Sequence, residues 1–527
     1  MNNIYVIGIG ISFVLYIIFG LLISKKVKGA DDFYVAGRQA PVFLIVGSMI
    51  ASYVSTGMFM GDAGEYYSGL FSPMTILATM QVVGYLYGAV MFGRYLRRSE
   101  VYTIPEFFGK RFNSTALHKL STITAIITMT VYLISVIQGM GTLAHAVTNL
   151  DYTLCISLCV IIFAFVSIVS GAKGVLITDT IMFGIFTGAL VIGTIIVTYK
   201  AGGWSSIVEQ LSDFKIEGLL SWSGNLDYMY DNGAENVIWG IVYGVVWMSV
   251  CMVGPWQSSR YLMAKNEHTI IRSALFSALG IFSLQLLVGM SAVTVNLFSP
   301  DMESASHVLI WASMNLLPTV LGVILLTGVV AAGISSATTF LSLIGTSVAN
   351  DVLKGKGNAV NIGKIAMAIA SLVVLAFAVF NPPQIFWIMF FGGAIVASSW
   401  MPVAVASIIS KKVTKTGAFA GMLSGFIACF VLKLLFNTLN IKVPSYLDPT
   451  VIGIVVNMIA MVIGSALTQV TDEEKAARAA LFVVPESEKD PKEVKKTIVY
   501  LKWFVALGVI IMAVLLLVWG IPVVINR

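Results

Sequence analysis

The sequence predicts an all-α integral membrane protein, and three observations support this fold class. Hydrophobic residues make up 58% of the 527 residues, charged residues only 11%, and the mean hydropathy is +0.91. Apolar runs of about 20 residues, long enough to cross a bilayer, follow one another along the chain. Basic residues are concentrated in alternate loops. A soluble globular protein has none of these properties.

The apolar runs predict about 14 transmembrane helices. We expect them at residues 5–24, 41–69, 75–95, 118–148, 153–171, 174–199, 237–254, 270–298, 317–349, 361–380, 384–409, 417–436, 450–468 and 499–524. The first run lacks a basic flank before it and a small-residue cleavage site after it. It is therefore interpreted as a retained helix and not as a signal peptide.

Basic residues predict the orientation of these helices. With the N-terminus outside and the helices alternating, 27 of the 32 lysines and arginines lie in inner loops and helix ends. The outer side then carries five basic residues, which are Lys200, Lys215, Lys433, Lys442 and Arg527. This bias is typical of a multi-pass protein of the plasma (inner) membrane. It accounts for the net charge of +6, so no nucleic-acid partner is expected.

Several function classes lack the motifs they need. The four cysteines lie inside predicted spans, and no zinc-ligand spacing, phosphate-binding loop or nucleophile elbow is present. The longest loops, about 200–236 and 469–498, are too short for a nucleotide-binding domain. No catalytic cluster indicates an enzyme. A secondary transporter, a channel and a sensor remain.

One span carries an unusual patch of hydroxyl groups. In residues 331–340, Ser335, Thr338 and Thr339 share one helical face and Ser336 flanks it. Hydroxyl oxygens in a bilayer can replace the hydration shell of a cation. Hydroxylated residues also commonly hold membrane helices together and bond their own backbone. The patch alone therefore leaves both a cation site and helix packing open.

Two spans contain interruptions five helices apart, a pattern typical of transporters with broken helices. The second span has the segment Ala51-Ser52-Tyr53-Val54-Ser55-Thr56-Gly57-Met58 at its middle. The seventh contains Gly254-Pro255, where proline removes a backbone donor. Glycine and proline also occur in intact membrane helices. The prediction of a transporter therefore depends on the five-helix separation of the two interruptions.

Carboxylates inside spans are costly and mark candidate functional sites. Asp179 is the one carboxylate predicted well inside a span. It would bind a cation or form a structural ion pair near the inner surface, for instance with Lys173. Asp62 and Glu65 are expected at the outer mouth, where water reaches them; they would attract cations there or simply be solvated.

Several motifs, in order along nearly the whole chain, resemble those of the sodium:solute symporters. They are Asp32-Phe33-Tyr34-Val35-Ala36-Gly37-Arg38, Tyr102-Thr103-Ile104-Pro105-Glu106-Phe107 with Arg111-Phe112, Thr178-Asp179, Gly254-Pro255 with Arg260, and Thr416-Gly417-Ala418 with Gly421 and Gly425. The resemblance implies a leucine-transporter-type fold with a 5+5 inverted repeat core. The first repeat is expected at 41–199 and the second at 237–409. A peripheral helix at 5–24 and peripheral helices at 417–524 complete a single transporter domain.

The resemblance also implies ion sites. The sodium ion common to this fold would bind the carbonyls of Ala51, Val54 and Ala332 and the hydroxyls of Ser335 and Ser336. A second sodium ion, present in some members, would bind Asp179, Thr338 and Thr339. Members that bind one sodium ion also keep this aspartate, so its presence does not establish a second sodium site.

The substrate site implied by the resemblance lies beside the helix breaks. Its expected residues are Ser55, Thr56, Gly57, Met58, Gln81, Tyr132, Trp247 and Gln257. Gly57 and Tyr53 stand where proline permease has a tryptophan and an aspartate, and the fourth span lacks the arginine that grips the carboxylate in sialic acid members. A small amino acid, a betaine-like compound and a monocarboxylate all remain possible as the substrate.

The predicted function is sodium-coupled symport of a small organic solute into the cell by alternating access. Alternatives are proton coupling through Asp179, uncoupled flux and, with no signalling domain present, a transporter-like sensor. The expected partners are the solute, sodium and the lipid bilayer, and the protein is expected to be a monomer.

Overall fold

The computed structural model describes residues 2–24, 29–212, 218–353, 358–381 and 384–521. Within these ranges every regular element is a helix, apart from an isolated β-bridge between Ala40 and Ala264. Twelve helices in these ranges are long and apolar enough to cross a membrane, and a bent helix pair provides a thirteenth crossing. The predicted all-α membrane fold is confirmed.

We number the helices at the predicted spans α1 to α14. The first seven are α1 (Asn2–Ser24), α2 (Val42–Tyr53 and Gly57–Tyr67), α3 (Phe71–Arg98), α4 (Thr115–Thr148), α5 (Tyr152–Val169), α6 (Lys173–Lys200) and α7 (Gly233–Met263). The others are α8 (Glu267–Val295), α9 (Thr319–Val352), α10 (Val360–Phe380), α11 (Ile385–Ile409), α12 (Lys415–Thr438), α13 (Pro449–Ala466) and α14 (Pro491–Gly520). Shorter helices in the connections include Gly29–Val35, Ile104–Arg111, Trp204–Ser212, Val308–Asn315 and Asp472–Leu481.

Several observed bounds differ from the predicted ones, and three differences concern the number or length of the helices. The helical backbone runs without interruption from Tyr152 to Lys200, where two helices separated at 171–174 were expected. Its 49 residues exceed the about 20 that one crossing needs, so its two apolar stretches are counted separately. In α1 the apolar stretch is limited to Asn3–Ile18. Helix α14 begins at Pro491, eight residues earlier than predicted.

Some residues of the orientation argument lie outside the described ranges. They are Lys25, Lys26, Lys28, Lys215, Lys354, Lys356 and Arg527. The predicted end of the last span at 524 also falls outside them. Orientation in the membrane therefore stays a prediction.

Both predicted interruptions are present. The two halves of α2 meet at an angle of 50°. In α7, Gly254 has extended backbone angles (φ −57°, ψ 134°) and separates the helices Gly233–Val253 and Pro255–Met263. Pro255 has no N–H to donate to the preceding turn, so a new helix starts there.

The broken helices lie at the centre of the bundle. Helix α7 packs against α3, α9 packs against the helix Tyr152–Lys200, and α11 packs against α4. The apolar segments of α9 and α11 are 72% and 78% buried, against 22%, 28% and 17% for α12, α13 and α14. The last three helices are therefore peripheral. The boundaries of the two repeats stay a prediction.

Candidate functional site

The break in α2 is formed by local bonds of its own residues. Val54 has extended backbone angles (φ −70°, ψ 102°), which interrupt the helical hydrogen bonds. The Ser55 hydroxyl accepts a hydrogen bond from the Gly57 N–H at 3.0 Å, a local side-chain bond that competes with the helix. Carbonyls released by such a break can turn toward a ligand.

Helix α9 lies against this break. A Cβ placed on Gly333 would lie 3.2 Å from the Thr56 methyl carbon, so glycine permits the close approach. The residues expected for the common sodium site are all buried, and they are Ala51, Val54, Ala332, Ser335 and Ser336. The structure thus places the two predicted halves of this site on helices that contact each other.

The two serines of α9 differ in their bonding. Ser335 Oγ donates to Asp179 Oδ1 at 2.5 Å. Ser336 Oγ is buried and has no hydrogen-bond partner among the described residues. A buried unsatisfied hydroxyl is destabilising unless something binds it, so the oxygen of Ser336 suits a bound cation.

Asp179 is fully buried at the junction of four helices. Its Oδ2 accepts hydrogen bonds from Ser48 Oγ of α2 at 2.6 Å and from Arg260 Nη2 of α7 at 3.0 Å. Arg260 Nη2 also donates to Thr339 Oγ1 of α9 at 2.8 Å. The side chains of Asp179 and Arg260 are 0% and 2% exposed, so they form a buried ion pair.

This ion pair changes the expectation for a second sodium ion. Of the predicted ligands, Asp179 and Thr339 both contact the guanidinium of Arg260. Thr338 Oγ1 donates to the Ser335 carbonyl of its own helix at 3.0 Å. Arg260 therefore contacts two of the three residues expected to bind a second sodium ion, and whether that ion binds stays a prediction.

The ion-pair interpretation of Asp179 is correct in kind, but the partner suggested from the sequence is wrong. Lys173 Nζ lies 2.9 Å from Asp32 Oδ2. Arg260 is the residue that compensates Asp179. The sequence motif that joins Arg260 to Gly254-Pro255 was recognised. The partner of the Arg260 side chain was not predictable, because it depends on how α7 crosses α6.

Aromatic side chains form a cluster beside the break. The Tyr132 ring centroid lies 6.1 Å from that of Trp247, 5.0 Å from that of Trp256 and 4.7 Å from that of Phe340. The Tyr53 ring contacts Trp247 edge to face at 5.2 Å. Two of these residues, Tyr132 and Trp247, were expected in the substrate site; the other three were not.

Several polar atoms in this region have no partner among the described residues. They are Trp247 Nε1, Tyr53 Oη and both amide atoms of Gln81, all buried. Gln81 belongs to α3, whose Met80 and Gly84 touch Gly244 and Met248 of α7. Ser55 Oγ lies 3.3 Å from Tyr132 Oη. Unpaired polar groups beside aromatic rings are suited to a polar solute.

The remaining residues predicted for the substrate site are less available to bind a solute. Gln257 accepts from Tyr85 Oη at 2.8 Å and donates to Ser52 Oγ at 3.1 Å, so it joins α7 to α2 and α3. Thr56 Oγ1 donates to the Val136 carbonyl at 3.1 Å. Met58 is buried. Gly57 lies at the break with its α-carbon facing Met389.

Asp62 and Glu65 do not lie in water. They are 2% and 5% exposed, on the second half of α2. Asp62 accepts from Gln285 Nε2 at 3.0 Å and from Tyr243 Oη at 3.3 Å. Glu65 accepts from Tyr228 Oη at 3.3 Å. The 218–232 segment and α8 cover a position that the sequence alone placed at an open mouth.

Comparison with known proteins decides the family. The model of the sodium:solute symporter family matches residues 33–425, which include both broken helices, Asp179 and the hydroxyl patch of α9. The chain belongs to the sodium:solute symporter family. The predicted sodium-coupled symport of a solute, and sodium as the coupling ion, are thereby confirmed, and the protein is a transporter and not an enzyme.

Curated members of the family are similar over most of the symporter. The sodium/proline symporter of Escherichia coli is 22% identical over 449 residues, covering 79% of this chain and 85% of the relative. The sodium/pantothenate symporter of Haemophilus influenzae is 24% identical over 489 residues, covering 88% and 96%.

A solved structure shows the same fold. A Na+-coupled sialic acid symporter in a substrate-bound, outward-open state superimposes with a TM-score of 0.72 at 16% identity. The match covers 89% of this symporter and 99% of that chain. The leucine-transporter-type fold is therefore confirmed.

Proposed function

We propose that this symporter moves one sodium ion and one small organic solute into the cell in each cycle of alternating access. The sodium ion binds between the α2 break and α9. Its ligands are the carbonyls of Ala51, Val54 and Ala332 and the hydroxyls of Ser335 and Ser336. The observation that carries this assignment is the buried, unpartnered hydroxyl of Ser336 on α9, the helix whose Gly333 approaches Thr56 at the break.

Asp179 supports this site through Ser335. The serine hydroxyl gives its proton to Asp179, which leaves the oxygen lone pairs available to a cation. Arg260 neutralises the Asp179 carboxylate and donates a hydrogen bond to the Thr339 hydroxyl. In our proposal, therefore, no second sodium ion binds at Asp179.

The solute binds beside the aromatic cluster. Trp247, Tyr132 and Gln81, with Ser55 and Gly57 at the break, provide apolar walls and a few polar atoms, as solute sites usually do. Met58 is a neighbouring wall, whereas Gln257 and Thr56 hold the helices that surround the site. The curated relatives named above are symporters for proline and pantothenate, which supports a small polar metabolite.

The stoichiometry fixes the power of uptake. One monovalent cation crossing 100 mV contributes about 2.3 kcal/mol. At about 1.4 kcal/mol per tenfold, this accumulates an electroneutral solute roughly fortyfold before any sodium gradient is added. We further propose that the protein is a monomer in the plasma membrane with its N-terminus outside, which the basic residues support.

The test is uptake into proteoliposomes with a panel of radiolabelled amino acids, glycine betaine, choline and small carboxylates. Uptake of at least one of these compounds should require a sodium gradient directed into the proteoliposomes. A pH gradient without sodium should not replace it. Uptake driven by protons alone, or sodium-independent equilibration, would contradict the sodium assignment.

A further inference from the structure

A cluster of buried acceptors lies on the second half of α2, two turns beyond the break. Asp62 and Glu65 are three residues apart, so both carboxylates lie on the same face of this half-helix. They are 2% and 5% exposed. No described lysine, arginine or histidine forms an ion pair with either. Buried carboxylates without a cation are rare in proteins.

The neighbours of this pair supply too few donors. Asp62 receives one bond from Gln285 and one from Tyr243, and Glu65 receives one from Tyr228. Glu65 Oε2 and Gln285 Oε1 are buried acceptors with no partner among the described residues. Gln285 is 0% exposed, and its nitrogen already contacts Asp62. Tyr66 Oη is the one unpartnered hydroxyl that we find beside Gln285 among the described residues, so unpartnered acceptors outnumber it, and a bound cation or N–H donors of a ligand would satisfy them.

Tyr243 connects the cluster to the proposed solute site. Its hydroxyl donates to Asp62, and its ring centroid lies 6.2 Å from that of Trp247. The ring is also in contact with Phe386 at 5.0 Å and Phe390 at 4.9 Å. A solute lying along the aromatic wall at Trp247 would thus have one end close to Asp62.

We propose that Asp62, Glu65 and Gln285 bind a positively charged nitrogen of the transported solute; this rests on the function proposed above. A primary or secondary ammonium carries N–H donors and no acceptor, and it complements the unpartnered oxygens of Glu65 and Gln285. Aromatic faces near the carboxylates favour an organic cation as well. A monocarboxylate without such a nitrogen offers these oxygens no donor, and it is repelled whenever either carboxyl group is ionised.

This inference narrows the solute classes left open by the sequence. The two described basic side chains that contact the aromatic residues around Trp247 and Tyr243 are already paired, Arg260 with Asp179 and Lys433, which lies over the Phe390 ring, with Asp448. The solute is thus recognised through its cationic end. Amino acids and amines fit, and lactate, acetate and neutral sugars do not.

The experiment compares solutes that carry a cationic nitrogen with solutes that lack one, and L-alanine with propionate is the matched pair. Radiolabelled L-alanine, L-serine and L-proline are tested against propionate, lactate and galactose in proteoliposomes with a sodium gradient. Sodium-driven uptake of a nitrogen-bearing solute, with none of propionate, lactate or galactose, is the expected result. Sodium-driven uptake of a solute without a cationic nitrogen would overturn this inference and leave the proposed function intact. Absence of any sodium dependence would instead overturn the proposed function.

Variants of Asp62 test whether this cluster determines the affinity for the solute. For the solute that is transported, Asp62→Asn should raise KM by at least about tenfold, the effect of losing one charge-assisted hydrogen bond. The sodium concentration for half-maximal uptake at saturating solute should stay within about twofold, because the sodium ligands are untouched. Asp62→Glu keeps the charge and should recover part of the affinity. The matched control is Asp227→Asn, which removes the same charge from an exposed position next to Tyr228.

Folding and ion binding are controlled separately. Each variant is checked by size-exclusion chromatography and by thermal unfolding in detergent with and without the solute. A lost thermal shift by the solute in a normally folded Asp62→Asn supports the proposal. A changed sodium dependence with unchanged solute KM would make the cluster an ion site and overturn it. A normal KM in both Asp62→Asn and Glu65→Gln would also overturn it.

Discussion

Arg260 donates to Asp179 across 3.0 Å at a point where four transmembrane helices meet. The pair connects α7 to α6, and through Ser48 and Thr339 it also contacts α2 and α9. Two of these helices belong to each predicted repeat. An ion pair of this kind needs every partner in place, since one buried charge without the other is strongly destabilising. It therefore constrains both the packing of the core and the number of ions that the core can hold.

The ion pair predicts one coupled charge per electroneutral solute. Wild-type protein should show a sodium Hill coefficient near one and one charge moved per solute. The measurement is charge-to-solute stoichiometry in proteoliposomes at fixed voltage. Two charges per solute in the wild type, falling to one in Asp179→Asn, would instead establish a second sodium ion at Asp179.

Removal of one member of the pair should also destabilise the fold. Asp179→Asn leaves Arg260 buried without its counter-ion, which costs about 3–5 kcal/mol for a pair of this type. The double variant Asp179→Asn with Arg260→Met removes both charges and should recover much of the lost thermal stability. Thermal unfolding in detergent checks this. Equal stability of the single and double variants would argue against a strong interaction.

Ser336 is predicted to bind sodium and not to contribute to packing. Because its hydroxyl has no partner in the structure, Ser336→Ala should leave folding unchanged and raise the sodium concentration for half-maximal uptake severalfold. Ser335→Ala should weaken sodium more, since it also loses the bond to Asp179. Ser371→Ala is the control, as this buried serine bonds its own helix at the Met367 carbonyl. Unchanged sodium dependence in both α9 variants would reduce the hydroxyl patch to helix packing.

The helix positions were largely predictable because membrane spans have a strong signal. About 20 apolar residues in a row have one stable arrangement in a bilayer, and Gly254-Pro255 can hardly continue a helix. Helix ends were less predictable: α14 extends eight residues before the apolar run, because the amphipathic turn at Glu493 and Lys495 is helical without being hydrophobic.

Side-chain partners were the part that the sequence did not reveal. Asp179 was correctly singled out as an intramembrane acid, but Arg260 lies 81 residues away along the chain. Asp62 and Glu65 were expected in water because a span end is normally wet. Their burial depends on Gln285 of α8 and on Tyr228 of the 218–232 segment, and no local pattern encodes such contacts.

Gly57 is predicted to be required for its small size. A Cβ at this position would lie 2.1 Å from Met389 Sδ of α11, which is too close to pack, and 3.0 Å from Ser55 Oγ, which is a tight contact. Gly57→Ala should therefore lower the maximal uptake rate, because the Met389 side chain must shift at the break. Met389→Ala removes the clash, and the double variant should recover activity. Control Gly184→Ala has nothing within 4 Å of the added carbon and should be neutral.

Trp247 and Tyr132 are predicted to determine solute affinity with little effect on sodium. Their rings form the wall beside the break, and Trp247 Nε1 is buried without a partner. Trp247→Ala should raise the solute KM by tenfold or more, since about 2 kcal/mol of aromatic contact is lost. Tyr132→Phe should have a smaller effect, because it removes only the contact to Ser55 at 3.3 Å.

The measurement for these two residues is solute KM together with sodium binding in the absence of solute. Sodium binding without solute should be unchanged, because the proposed sodium ligands lie on α9 and the backbone of α2. Trp387→Ala is the matched control: it removes the same side chain from an exposed position on α11 and should leave KM unaltered. Normal solute affinity in both Trp247→Ala and Tyr132→Phe would place the solute elsewhere in the bundle. It would also separate Asp62 from the proposed solute path, in which Trp247 connects Tyr243 to Tyr53 at the break.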